Sequence, residues 1–421
     1  MNLKHRHIIS EHNKKLLSNT GFMYLMMISV QVLNLITIPY LTRTLGPAIY
    51  GRIGLAQGYM AYVQIILDFG FILSATQLIS ENRTDEFLIA KVISSVTLIK
   101  IVLSFFVALA FVLLFAGKFF DKTNAVIIII YLAAYLINAL LPDYYYRGME
   151  DMKMISIRTV LIRIIFTMLI FTLVRSDSDY LYVPISFLTG SIIALLFSIF
   201  DIVWKYEVKI ILPNMKDVKK LFVISIPFFV SRFASTFYQA LDVIIIGKLY
   251  GLSPIVGYYS TSDKAITLAK MASSPIADSL YPYMLKNRNF KLVKKMLLFL
   301  MPIITIVVVL IGIFAESLCI FAFGDEYAGA GNVLRLLLPI AWVILPTYVI
   351  AFPVMSPMGL VKYANYSNMI GMLIQIFGLV IFKLFGYLNL YTICALASLA
   401  EVSVFIYRII IVLINRRKIN I

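Results

Sequence analysis

The sequence is poor in charge and in the residues that perform covalent or metal chemistry. Of its 421 residues only 14% are charged, and it contains two cysteines and three histidines. Cys319 and Cys394 lie in apolar segments without metal-ligand spacing, so we predict neither a disulfide framework nor a metal site. His5, His7 and His12 all lie in the polar N-terminal tail, which leaves no histidine for acid–base catalysis in the apolar part.

The chain also lacks a nucleotide-binding loop and a long polar segment. No G-x-x-x-x-G-K-S/T motif occurs, which excludes ATP hydrolysis through that loop. The loops between the apolar runs are too short for a soluble catalytic domain. A membrane-embedded polymerase, ligase or acyltransferase generally needs a large extracytoplasmic loop or a membrane histidine, so we expect no enzyme, no catalytic residue and no resident cofactor.

Apolar residues are abundant, at 61% of the chain, and the mean hydropathy is +0.93. These values are typical of an all-α polytopic membrane protein. A bilayer-spanning helix needs about 20 mainly apolar residues. Twelve such spans are predicted, at residues 17–42, 50–79, 88–116, 124–146, 154–174, 180–203, 219–247, 255–285, 292–314, 333–355, 363–385 and 388–414.

The positive charge indicates topology rather than nucleic-acid binding. The net charge is +16, but the basic residues lie in short loops between apolar runs, mostly on one side of the predicted membrane. Because basic loops remain in the cytoplasm, both termini are predicted to be cytoplasmic. The predicted domains are an N-terminal tail (1–16), an N-lobe (17–203), a cytoplasmic linker (204–218), a C-lobe (219–414) and a C-terminal tail (415–421).

An internal repeat relates the two halves. The segment RTLGPAIYG at 43–51 resembles KLYGLSPIVG at 248–257, an offset of 205 to 206 residues. The same offset matches Gln57 to Asp263, Gln64 to Lys270 and Asp68 to Ser274. Six spans separate equivalent positions, so both halves have the same direction. We therefore predict two six-helix lobes related by a parallel pseudo-two-fold axis along the membrane normal.

Two neighbouring predicted helices each carry a polar stripe at helical spacing. The first stripe is Arg232, Ser235, Gln239 and Asp242, and the second is Asp263, Thr267, Lys270, Ser274 and Asp278. A charge at the bilayer centre costs from ~3 to over 10 kcal/mol, so the stripes are predicted to face a water-filled cavity between the lobes. The alternative is that Arg232 pairs with Asp242, and Lys270 with Asp263 or Asp278, only to hold the helices together.

Cations dominate this predicted central cavity and suit a phosphate or pyrophosphate group, since Arg binds phosphate through two parallel hydrogen bonds and Lys adds a point charge. The candidate substrate-binding residues are Arg232, Lys270, Lys264, Arg52, Arg43, Lys100, Gln239, Gln64, Gln31 and Asn34. Four carboxylates could bind a proton or a sodium ion as coupling ion, or could simply be partners of the cations. They are Asp242, Asp263, Asp68 and Glu401.

The segment DYYYRGMEDM at 143–152 resembles the aromatic-x-x-x-Gly-x-Glu segment of the Wzx-type bacterial polysaccharide repeat-unit flippases. Residues 241–247, 257–264, 280–282 and 323–335 resemble further parts of that family in its order. The resemblance implies the multidrug/oligosaccharidyl-lipid/polysaccharide (MOP) exporter superfamily, whose two six-helix lobes form a V-shaped cavity. Tyr144 stands where we expect Trp, so sugar specificity cannot be carried over.

The resemblance also implies the activity. It is translocation of an undecaprenyl-pyrophosphate-linked oligosaccharide to the outer leaflet of the bacterial cytoplasmic (inner) membrane by alternating access, for O-antigen, capsule or exopolysaccharide assembly. A polysaccharide polymerase and a chain-length regulator are the implied partners. The alternatives are an ion-coupled drug or metabolite antiporter of the same superfamily, which the cationic excess disfavours, and a scaffold, which would not require the stripes.

Overall fold

The structure is a computed structural model that describes residues 3–120, 122–205 and 211–415. Within these ranges the side chains of residues 3–18, 20, 122–123, 205, 231, 234–235, 238–239 and 282 lie outside the description. The described chain is helical and contains no strand. Its α-helices are α1 (Leu3–Asp68), α2 (Phe71–Glu81), α3 (Glu86–Ala116), α4 (Lys122–Ala139), α5 (Asp143–Gly148), α6 (Met152–Leu173), α7 (Tyr182–Phe200), α8 (Met215–Tyr250), α9 (Pro254–Asn287), α10 (Phe290–Ile313), α11 (Ala315–Phe323), α12 (Ala330–Val349), α13 (Val361–Leu384) and α14 (Leu390–Ile414).

Helix α1 combines two helices across a break at Gly46, whose φ of 68° and ψ of 168° are not helical. A φ of this sign suits glycine, which has no Cβ to clash with the backbone. Short 3-10 turns occur at Asp177–Leu181 and Asp325–Tyr327, and π turns at Asp201–Lys205 and Ile350–Val354. The π turn after α12 contains Pro353, which cannot donate a backbone hydrogen bond.

In the described part of the chain, nine stretches are long and apolar enough to cross a membrane by length and composition. They are Gly21–Glu81, Glu86–Ala116, Asn124–Gly148, Met152–Leu173, Asp177–Trp204, Phe290–Ile313, Ala330–Val354, Val361–Leu384 and Leu390–Ile414. The prediction of an all-helical polytopic membrane protein is therefore confirmed. The number twelve, the pseudo-symmetry and the side on which the termini lie stay predictions, as do the lobe boundaries.

The chain forms two compact units that divide it inside α1 and inside α8. Unit 1 is Met1–Thr44 with Met60–Arg232, and unit 2 is Leu45–Tyr59 with Phe233–Ile421. The core of unit 1 includes Tyr144, Tyr145 and Tyr146 of α5, all at most 2% exposed, packed with residues of α2 and α3. The three buried tyrosines therefore anchor the short helix α5 in the interior of this unit.

In unit 1 the junction between α1 and α2 packs against the first half of α8. The ring of Phe69 stacks on those of Phe222 and Phe229, at centroid distances of 4.5 and 4.6 Å. Gly70 begins α2 with a φ of 78°, and a Cβ at this position would lie 2.7 Å from the Cβ of Phe228. The close approach of these backbones therefore depends on glycine.

In unit 2 the segment Leu45–Tyr59 packs against α8 and α9. A Cβ added to Gly257 would lie 2.0 Å from the carbonyl oxygen of Pro47, and one added to Gly58 would lie 2.4 Å from Cγ1 of Val243. Helix α12 passes through the interior of this unit, with Val333, Val343 and many of its other side chains buried. The core of unit 2 therefore joins α1, α8, α9 and α12.

The contact at Gly257 predicts a loss of stability on substitution. Gly257→Ala places a methyl group against a backbone oxygen that cannot rotate away, and overpacking of this kind costs about 1–3 kcal/mol. We expect the melting temperature of the purified variant in detergent to fall by several degrees. Gly21→Ala is the control, because nothing lies within 4 Å of its added Cβ. Equal melting temperatures for the two variants would contradict the contact.

Candidate functional site

A cavity of about 110 Å³ in unit 1 brings together four of the predicted site residues, and we name it the Arg232 cavity. The four residues are Gln64, Asp68, Lys100 and Arg232. They come from α1, α3 and α8, and residues of α2, α4 and α5 form most of the remaining wall. Arg232 and Gln64 are exposed, whereas Lys100 is 5% exposed.

The buried ammonium of Lys100 is stabilised by three neighbours. It donates a hydrogen bond to the carbonyl oxygen of Ala139 and lies 5.5 Å from the ring centroid of Tyr144. That distance is within the range of a cation–π interaction. Asp68 interacts electrostatically with both Lys100 and Arg232. One carboxylate therefore faces two cations in this cavity.

The second carboxylate of the Arg232 cavity, Asp143, is already neutralised. It pairs with Arg158 of α6, which is 4% exposed and also donates a hydrogen bond of 2.8 Å to Ser198. Counted with Arg158, the charged groups in and beside this cavity are three cations and two carboxylates, so the site carries a net positive charge. Such a site favours an anion that offers several oxygen acceptors.

Two intramembrane arginines of α6 were missed in the site prediction. Arg158 lies inside α6, within the predicted span 154–174, and its side chain is buried. Arg163 donates a hydrogen bond to Asn34, which donates one of 3.2 Å to Gln31. Gln31 and Asn34 therefore lie against α6 in unit 1. The signal for this arrangement was two arginines in an apolar helix of 22 residues.

A small cavity of about 20 Å³ in unit 2 collects Lys270 and three of the four predicted coupling carboxylates. We name it the Asp242 cavity, and its charged lining is Asp242, Asp263, Lys270 and Glu401. Asp242 is 2% exposed and accepts a hydrogen bond of 2.5 Å from Gln375 of α13, a partner that the sequence did not reveal. Tyr259 also bonds to it.

Lys270 has a carboxylate partner on a distant helix. Its Nζ lies 3.7 Å from Oε1 of Glu401 in α14, and both side chains are largely buried. The sequence had suggested Asp263 or Asp278, which lie on the same helix as Lys270. The ion pair instead connects α9 with α14, whose sequence positions are far apart.

The remaining predicted residues lie outside these two cavities. Arg43 is exposed and belongs to unit 1, whereas Arg52 is half-buried and belongs to unit 2. Lys264 is half-buried on α9. The side chain of Gln239 lies outside the described residues. Among the described residues, no three His, Cys, Asp or Glu side chains come together as candidate metal ligands.

Comparison with known proteins assigns this architecture to a family. Residues 16–288 match the family model described as "Polysaccharide biosynthesis protein". The chain belongs to this polysaccharide biosynthesis protein family. All the residues that line the Arg232 cavity lie inside the matched part of the sequence.

Relatives of this polysaccharide biosynthesis protein have names that specify a transported substrate. A protein of Escherichia coli (strain K12) named "Putative O-antigen transporter" is 25% identical over 337 residues, which are 77% of this chain and 79% of the relative. A protein of the same name from Shigella dysenteriae is 23% identical over 351 residues, 81% of this chain and 86% of the relative.

Two solved structures superpose on nearly the whole chain. An inward-facing multidrug resistance MATE family transporter of the MOP superfamily superposes with a TM-score of 0.69 at 16% identity, covering 93% of this chain and 94% of that chain. The lipid II flippase MurJ in an inward closed conformation superposes with a TM-score of 0.68 at 15% identity, covering 94% and 87%. This chain therefore shares the fold of these two proteins.

The ion pair of the Asp242 cavity predicts a measurable coupling between two helices. Lys270→Met should lower the melting temperature, because it leaves the buried Glu401 carboxylate without this cation. Adding Glu401→Gln should restore part of the loss. We expect a coupling energy of roughly 0.5–3 kcal/mol from a double-mutant cycle on the purified protein. Additive effects of the two substitutions would show that the pair does not stabilise the fold.

Proposed function

We propose that this protein is a flippase for an undecaprenyl-pyrophosphate-linked oligosaccharide, which it moves from the cytoplasmic to the outer leaflet of a bacterial cytoplasmic membrane. The observation that carries this proposal is the net positive charge in and beside the Arg232 cavity, inside a membrane-spanning fold. The family, the relatives named as O-antigen transporters and the likeness to a lipid II flippase support it.

The physical problem of such a flippase is the passage of a pyrophosphate through hydrocarbon. The anion must exchange water for other hydrogen-bond donors and positive charge, since an uncompensated buried charge is prohibitively costly. Arg232 and Lys100 supply both within one cavity. In this proposal they bind the pyrophosphate and Gln64 adds a polar side chain, while the polyprenyl chain stays in the lipid beside the protein.

The proposed architecture has twelve spans in two six-helix lobes. The stretch Gly21–Glu81 is 61 residues long, about three times the length needed for one crossing, and contains the break at Gly46, so it can supply two spans. Helices α8 and α9 are 36 and 34 residues long and supply the remaining two spans. Their charged residues Arg232, Asp242, Asp263 and Lys270 line cavities. Both termini lie in the cytoplasm in this arrangement.

Transport in this proposal proceeds by alternating access of a central site. A proton or sodium ion is the proposed coupling ion, and the carboxylates of the Asp242 cavity are its candidate site. The product supplies O-antigen, capsule or exopolysaccharide assembly, where a polymerase and a chain-length regulator would act on it. No catalytic step is assigned to the chain, in agreement with transporter relatives.

Removal of the exposed guanidinium in the Arg232 cavity tests the proposed function. Arg232→Ala should lower surface polysaccharide in the source cells by roughly 10-fold or more, since a hydrogen bond to a charged group contributes about 1.5–3 kcal/mol. The protein should stay in the membrane at its normal amount, measured by immunoblotting. Arg175→Ala, an exposed arginine in the loop after α6, is the matched control. Normal polysaccharide with Arg232→Ala would remove this residue from the substrate site.

The proposed topology predicts which loops an impermeant maleimide can label in intact cells. In a Cys319→Ala/Cys394→Ala background, Ser178→Cys should react from outside, and Lys216→Cys should react only after permeabilisation. Both positions are exposed, and both native cysteines are buried. Labelling of the two positions from the same side would contradict six spans in the first half.

A further inference from the structure

A second cavity of unit 2 adjoins the Asp242 cavity and differs from it in size and lining. Its volume is about 460 Å³, within the range of roughly 300–1,000 Å³ typical of small-molecule sites. We name it the Asp278 cavity. Its walls come from α8, α9, α12 with its following π turn, α13 and α14, and Glu401 lines both this cavity and the Asp242 cavity.

The polar groups of the Asp278 cavity are oriented by the protein. Oδ2 of Asp278 accepts a hydrogen bond of 3.0 Å from Ser274, and the Asp278 side chain is exposed. Oδ1 of Asn368 accepts one of 2.8 Å from Arg408, which leaves the amide NH₂ of Asn368 as a donor. A carboxylate acceptor and an amide donor are thus held in the lining of one cavity.

Arg408 does not make this cavity an anion site. Its guanidinium is 5% exposed, and Nε donates to Ser367, Nη1 to the carbonyl oxygen of Thr347 and Nη2 to Asn368, each at 2.8 Å. Because a fourth N–H donates to the carbonyl oxygen of Ala364, at most one of the five N–H donors of Arg408 remains for a ligand, and Arg408 cannot make the bidentate contact that phosphate favours. Its function in the cavity is to orient Asn368 and to supply charge.

The charges of the Asp278 cavity nearly cancel. The carboxylates of Asp278 and Glu401 face the guanidinium of Arg408, and Glu401 also pairs with Lys270 at 3.7 Å. A pyrophosphate would meet two carboxylates here, and an organic cation would meet Arg408. The balance therefore favours an uncharged ligand, in contrast to the Arg232 cavity.

Aromatic rings form the rest of the wall. The rings of Tyr281 and Phe352 lie edge to face at a centroid distance of 6.2 Å, and Tyr348 also lines the cavity. A sugar ring presents hydroxyl groups at its edge, which need both donors and acceptors, and an apolar C–H face that packs on an aromatic ring. Carboxylate, amide and aromatic groups in one neutral cavity match that pattern.

We propose that the Asp278 cavity binds an uncharged sugar ring of the lipid-linked oligosaccharide. This inference rests on the proposed function and gives unit 2 a saccharide site of its own. Tyr281 packs on the ring, and Asp278 and Asn368 bond to its hydroxyls. The cavity lies near the C-terminal end of α9 and the N-terminal end of α13, which are predicted to face the cytoplasm, where the substrate is loaded.

The test compares two ligands on the full-length protein in lipid nanodiscs. The first is the lipid-linked oligosaccharide fraction extracted from source cells that lack this chain. The second is undecaprenyl pyrophosphate, which carries no sugar. Tyr281→Ala and the isosteric Asp278→Asn should each weaken binding of the first ligand by roughly 10-fold, the effect of a lost hydrogen bond or stacking contact, and leave binding of the second unchanged.

Arg232→Ala should weaken binding of both ligands, and Tyr283→Ala, an exposed tyrosine two residues from Tyr281, should affect neither. The saccharide site is overturned if Tyr281→Ala and Asp278→Asn weaken both ligands equally or leave both unchanged. It is also overturned if Asp278→Asn instead removes binding of ethidium, which would mark a site for organic cations. Failure of the wild-type protein to bind either lipid would overturn the proposed function together with this inference.

Discussion

The cost of a charge in hydrocarbon determines how the polar residues of this chain are arranged. Each deeply buried cation of the described chain bonds to protein oxygens: Lys100 to a backbone carbonyl, Arg158 to a carboxylate and a hydroxyl, and Arg408 to a carbonyl, a hydroxyl and an amide. These partners belong to other helices or to the end of another helix. The same bonds that lower the electrostatic cost therefore connect helices that are otherwise joined by apolar contacts.

This constraint also separates cations that hold the fold together from cations that can serve a ligand. Each nitrogen of Arg408 donates to a protein oxygen, and Arg158 pairs with Asp143 and donates a hydrogen bond to Ser198. Both side chains are therefore fixed in place. Arg232 is exposed and lines a cavity whose charge, counted with Arg158, is positive. The distinction depends on which acceptors surround each side chain and cannot be read from the number of charges.

The sequence predicted the helices and the faces that carry polar residues, because both follow from local periodicity. It placed Asp242, Asp263, Lys270 and Glu401 among the site residues, and these four meet in one cavity. It could not predict Gln375 as the partner of Asp242, or Glu401 as the partner of Lys270, since these residues are more than 130 positions apart in the chain. Helical spacing identifies a face, and tertiary packing selects its partner.

The stripe of α8 shows the same limit. The spacing of its polar residues suggested one continuous water-facing surface from Arg232 to Asp242. The structure instead divides α8 between the two units within this stripe, so that Arg232 belongs to unit 1 and Asp242 to unit 2. A single face thus contributes to two cavities with different chemistry. The sequence assigned Arg232 and Asp242 to one cavity, whereas the structure places them in two.

The residues matched by the family model cover the two cavities to different extents. Every residue that lines the Arg232 cavity lies within the matched residues 16–288, whereas α12, α13 and α14, which form much of the Asp278 cavity, lie beyond them. A carrier lipid pyrophosphate is the same whatever sugars it bears, while the sugars differ among polysaccharides. Asp278 and Tyr281 lie inside the matched range, but the other walls of their cavity lie mostly beyond it. This arrangement is expected if the Arg232 cavity recognises the common part of the substrate and the Asp278 cavity the variable part.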